Sequence, residues 1–127
     1  PFGMAVMMAS VVNDGTMILP QLISGRPAVA AQSPTPLPGD VVATLRRYME
    51  QTVRSGTATA AASIPGMLGK TGTAEVGGGP AHGWFVGATG DIAVAVLIEG
   101  ADSSGPAVAM AADFLTAAGQ PAPLTGG

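Results

Sequence analysis

The chain has 127 residues with five basic and eight acidic side chains, a formal charge of −3. It therefore lacks the basic stripe of a nucleic-acid binder, and its length suits one small domain or a piece of a larger one. Charged residues are only 10% and hydrophobic residues 47%, which excludes a chain disordered by charge. With aromatics at 4%, the core must be built from Val, Leu, Ile, Met and Ala. There is no cysteine and a single histidine, His82, so disulfides and thiolate metal sites are excluded, and that histidine cannot by itself build a zinc site. No apolar run approaches the ~20 residues of a membrane span. The chain starts at Pro1 without a methionine and enters a helical pattern at once, as expected of a fragment whose N-terminal part lies elsewhere.

Met4, Met7, Met8, Val11 and Val12 recur at helical spacing and predict the buried stripe of a first helix, closed by Asn13-Asp14-Gly15. A short extended segment follows from Met17 to Ile23. Residues 25–39, with Pro27, Pro34, Pro36 and Pro38, read as a mobile loop. Asp40 is the expected N-cap of a second helix whose core side carries Val41, Val42, Leu45, Tyr48, Met49 and Val53. Arg46, Arg47, Glu50 and Arg54 read as its solvated face, and Ser55-Gly56 as its end. Thr57 to Ala62 is ambiguous. The methionines are expected to fill core gaps.

From Met67 the period changes. Leu68 to Val76 predicts a strand, Gly83 to Ala88 a second, and Thr89-Gly90-Asp91 a tight turn. The continuous apolar run Ile92 to Ile98 predicts a central strand buried on both faces. Residues 77–83 hold four glycines and read either as a mobile gate beside a cleft or as a passive hairpin connection. Pro106 suits the first turn of a last helix, with Val108, Ala111, Ala112, Leu115 and Ala118 in one stripe and Gly119 at its end. The tail 120–127 is expected to be disordered. The fold class is therefore α+β: a three-strand antiparallel meander covered by the N-terminal and C-terminal helices.

Gly69-Lys70-Thr71-Gly72-Thr73 is the chemically informative segment. Glycine inside a strand packs nothing, so two of them around a cation and hydroxyls suggest a backbone or anionic ligand lying close along the strand. A plain strand end is the bland alternative. A phosphate-binding loop fits poorly, because the glycine it needs falls on Ile64 and the string opens no helix.

Lys70-Thr71-Gly72-Thr73-Ala74-Glu75, followed by Gly83-Trp84-Phe85-Val86-Gly87, resembles the third motif of penicillin-binding proteins and the strand after it. Pro1-Phe2-Gly3-Met4-Ala5, then Asn13 and Gly15 and then Pro20, is similar to the helix and turn preceding that motif in transpeptidase domains. Ser55-Gly56-Thr57-Ala58 resembles the family's G-T-A. The likeness covers roughly residues 1 to 118 and points to the C-terminal portion of a class B, monofunctional transpeptidase domain within a penicillin-binding or serine β-lactamase-like fold. It implies acyl transfer from D-alanyl-D-alanine stem peptides of peptidoglycan through a serine ester, β-lactam antibiotics as acylating ligands, and no metal or organic cofactor.

Carried onto matching positions, the resemblance gives Lys70 a catalytic role through its positive potential and gives the Thr73 N–H one arm of an oxyanion hole. Thr71 and Thr73 would bind a ligand carboxylate through their hydroxyls, and Gly72 would let the acyl group lie against the strand. No serine here is followed by lysine three residues on or by asparagine two residues on. The nucleophile and second motif would come from an upstream segment or chain, and this chain alone would be inactive. The implied location is the outer face of a bacterial cytoplasmic membrane, anchored by a segment outside this chain. A non-catalytic penicillin-binding sensor or scaffold and a serine β-lactam hydrolase remain alternatives. His82 and Glu75 read as structural or surface residues, and Trp84 as core or cleft-edge packing.

Overall fold

The computed structural model describes residues 1–26, 28–29 and 34–119. Three strands, β1 (Leu68–Val76), β2 (Gly79–Thr89) and β3 (Ile92–Ile98), pair antiparallel in the order β1-β2-β3. Three helices accompany them: α1 (Phe2–Val12), α2 (Gly39–Arg54) and α3 (Gly105–Ala118), with a 3-10 turn at Thr59–Ala61. This is the expected α+β meander. The tail from 120 onward and part of the proline-rich stretch, residues 27 and 30–33, lie outside the described residues.

The side-chain alternation of the strands creates two cores. Phe85, fully buried, and Val94 face one side, where Val108, Ala111 and Leu115 of α3 pack with Val53, Ala61 and Met67. Ala88 and the half-buried Ala93 face the other, against Met8 and Val11 of α1 and Met49 of α2. α1 and α3 therefore cover opposite faces of the sheet, and α2 contributes to both cores from beside β1.

Several sequence expectations need correction. β2, not β3, is the central strand, because β3 has a hydrogen-bonded neighbour on one side only. In β3 only Val94 is buried, the other six residues being half-buried or exposed. Residues 79–83 continue β2, paired through Thr73↔Gly83, Ala74↔His82 and Val76↔Gly79. The expected seven-residue loop is thus a hairpin with a two-residue turn, Gly77-Gly78, in which Gly78 takes a φ of +78°. A bulge at Glu75 shifts the register just before that turn and leaves Glu75 exposed.

On α2, Tyr48 is exposed rather than core, with Arg47 stacked 5.4 Å from its ring centroid. Val41 is exposed as well, so the buried stripe narrows to Val42, Met49 and Val53. The cap residue is Pro38, and Asp40 instead lies in the first turn, where its charge complements the helix N-terminus. Met8, Met49 and Met67 are core, but Met4, Met7, Met17 and Met110 are exposed. α1 touches the sheet through a narrow stripe around Met8 and Val11, which leaves the turn before it, at Met4 and Met7, uncovered. On α3, Ala118 is exposed and Ala107 joins the core.

Candidate functional site

β1 is an edge strand among the described residues. Every second residue on it directs its N–H and C=O away from β2, leaving a row of main-chain groups for a ligand or another strand. Cross-strand partners share a face, and the pairs Lys70↔Val86 and Gly72↔Trp84 set the face that looks towards α1. Met4, on the first turn of α1, stands over it. These side chains with Thr71 line a cavity of about 300 Å³: Met4, Lys70, Thr71, Gly72, Trp84 and Val86. The walls are apolar, and the cation of Lys70 stands at the rim. A cavity of that size accommodates part of a small ligand.

The two glycines of the motif have different causes. A Cβ on Gly69 would lie 2.5 Å from Phe85 Cε2 and 3.3 Å from Val53 Cγ2. Gly69 is therefore required by the core, not by a ligand. A Cβ on Gly72 would meet only Trp84 Cβ, at 3.4 Å, which is ordinary contact. Internal packing does not demand glycine there, and Gly72 lies on the cavity wall.

Lys70, the chain's single lysine, is exposed and donates from Nζ to the carbonyl oxygen of Thr71. It takes part in neither ion pair of the described residues, Asp14–Arg46 and Glu50–Arg54. Alternation turns Thr71 and Thr73 to the face opposite Lys70 and Gly72. Thr71 is half-buried, and its hydroxyl lies 2.5 Å from that of Thr57. Thr73 is exposed further along the strand. The structure thus brings Lys70, Thr71 and Gly72 to one cavity, with Thr73 beyond it.

Trp84 forms a cavity wall, in line with a cleft-edge role. His82 is structural. Its Nδ1 accepts a hydrogen bond from the Gly100 N–H at 3.1 Å, tying β2 to the turn after β3. Next to it, Asp102 bonds Ala81 twice, its N–H to the carbonyl at 2.9 Å and its carboxylate to the N–H at 3.1 Å. Two residues at the site, Met4 and Thr57, fall outside the site residues expected from the sequence. Met4 reads as core from its spacing, although its place one turn before Met8 is the signal that sets it over the strand edge. Thr57 is visible in the sequence only as part of the Ser-Gly-Thr-Ala string, with no partner to give it a role.

The lysine-threonine-glycine motif thus lies on an edge strand of the meander, with the first turn of α1 over it. Among protein families, the penicillin-binding protein transpeptidase domain matches residues 1–116. The chain belongs to that family. Among solved structures it resembles penicillin-binding protein A from M. tuberculosis, described as an imipenem acyl-enzyme complex, with a TM-score of 0.71 and 25% identity. The match covers 91% of this chain and 30% of that one, so the chain spans under a third of that protein's length. Comparison with curated proteins gives no match.

Proposed function

We propose that this chain supplies the lysine-threonine-glycine half of a peptidoglycan D,D-transpeptidase site, at the outer face of a bacterial cytoplasmic membrane. The observation that carries this reading is the convergence of Lys70, Thr71 and Gly72 on one cavity at a strand edge, in a chain of the transpeptidase family. An upstream segment brings the nucleophilic serine. Its oxygen attacks the carbonyl of the penultimate D-alanine, the terminal D-alanine leaves with a proton, and the resulting ester is attacked by an amine of a second stem peptide. Lys70 places positive potential beside the nucleophile and the ligand's carboxylate. The Thr73 N–H and that of the serine stabilise the tetrahedral oxyanion, and Thr71 and Thr73 donate hydroxyl hydrogen bonds to the carboxylate. β-Lactams enter the same chemistry as ring-strained acyl donors, which agrees with the acyl-enzyme state of the M. tuberculosis neighbour.

The protein comprising this chain and its upstream segment is expected to be labelled by a fluorescent penicillin. Lys70→Ala is expected to slow that acylation by roughly 100-fold or more, the scale of losing a main electrostatic group. The isolated chain is expected to take no label. Near-normal labelling of the Lys70→Ala protein would remove Lys70 from the site.

A further inference from the structure

A hydroxyl outside the lysine-threonine-glycine motif is bonded to one inside it. The segment after α2 is folded back tightly on the helix. The Ser55 N–H reaches the Gln51 carbonyl at 3.0 Å and the Ala58 N–H the Thr52 carbonyl at 3.0 Å. A Cβ on Gly56 would lie 2.9 Å from both Cα and O of Thr52, so only glycine fits there. Ala58 is fully buried. Thr57 is held between these two anchored residues, with its Oγ1 2.5 Å from Thr71 Oγ1.

Each hydroxyl has one proton to give and lone pairs to accept with. If Thr71 donates to Thr57, it shows only lone pairs to a ligand lying along the β1 edge and repels a carboxylate there. If Thr57 donates to Thr71, the Thr71 proton stays free for an anion, and the accepted bond polarises it towards stronger donation. A bound carboxylate can only accept, so it selects the second arrangement. We propose that Thr57 is a positioning residue: its anchored hydroxyl donates to Thr71 and so aims the Thr71 proton at the carboxylate of the acyl donor. This rests on the transpeptidase reading above and adds to it a residue of the α2–β1 connection that acts through Thr71.

The test uses the assembled protein, with second-order acylation rates measured for benzylpenicillin and for its methyl ester. The ester has no carboxylate and serves as a control for fold and active fraction. Thr57→Val keeps the shape and removes the donor. It is expected to slow benzylpenicillin about 5- to 10-fold, the scale of one hydrogen bond to a charged group, while the ester stays within about twofold. Thr57→Ser is expected to restore the rate. In a Thr71→Val background, Thr57→Val is expected to have no further effect, because its route of action is gone. An unchanged benzylpenicillin rate in Thr57→Val, an equal loss for acid and ester, or additive effects of the two substitutions would each overturn the inference. Absence of acylation in the unsubstituted protein would instead overturn the transpeptidase reading itself.

Discussion

Arg46 holds the end of α1 through two backbone carbonyls. Its Nη2 donates to Val12 O at 2.7 Å and its Nε to Val11 O at 3.3 Å. These carbonyls belong to the last turn of α1, where intrahelical partners run out and a cation meets the negative end of the helix dipole. Nη2 also reaches Asp14 Oδ1 at 3.0 Å, but that side chain is 91% exposed. Arg46→Ala is therefore expected to destabilise the assembled domain by about 1–2 kcal/mol, and Asp14→Asn by less than about 0.5 kcal/mol. Urea midpoints of the two variants measure the contrast. The motif glycines separate in the same way. Gly69→Ala drives a methyl into the Phe85 ring and is expected to cost about 1–3 kcal/mol. Gly72→Ala fits the folded chain and is expected to leave the melting temperature within a few degrees, while slowing penicillin acylation at least about tenfold by narrowing the cavity. Equal melting losses for the two would mean that Gly72, too, is a packing glycine.

At the scale of elements, the β1–β2 hairpin is closed by a turn whose second residue, Gly78, has a φ of +78°. An alanine there occupies the left-handed region at a cost of about 1 kcal/mol. Gly79 has no positive φ, and a Cβ on it would meet Val76 Cγ2 at 3.5 Å, so Gly79→Ala is expected to be neutral or slightly stabilising. Thermal melts of the two variants in the assembled domain check this, and the reverse ranking would contradict the turn geometry. The helices and all three strands are legible in the sequence because period and punctuation are local properties. Leu68 to Val76 reads as a strand despite two internal glycines, Asn13-Asp14-Gly15 ends α1, and Pro106 opens α3. Strand order is not local. Ile92 to Ile98 reads as the most buried strand because it is the most apolar, yet neighbours, not composition, decide which strand lies in the middle. The extent of the hairpin is hidden for a related reason: Gly79, Pro80 and Ala81 have weak strand propensity, and pairing with β1 and the Asp102 clamp hold them in the ladder. At the candidate site, the motif residues are legible as a string. The part played by Thr57 is not, because a contact between residues 57 and 71 leaves no periodic trace.

At the scale of the molecule, the described residues leave a large amount of apolar surface open. Phe2, Met4 and Met7 on α1 and Met17, Ile18, Leu22 and Ile23 after it are all exposed. Both outer strands have one unpaired edge, and β3 carries no charged residue, proline or bulge to discourage pairing with another chain. A stable monomer seldom shows contiguous apolar area of this kind. In the functional reading, the upstream segment covers it, pairing along β3 and closing the cavity under Met4. Expressed alone, the 127 residues are then expected to unfold over a broad urea range and to associate at micromolar concentration, since so much apolar surface outside the two cores stays open. Supplied with the upstream segment, the same residues should unfold in one sharp transition. Sedimentation and urea titration of the isolated chain decide the matter. A monomer with a steep two-state transition would show that these two cores suffice, and the exposed face of α1 would then need a different explanation.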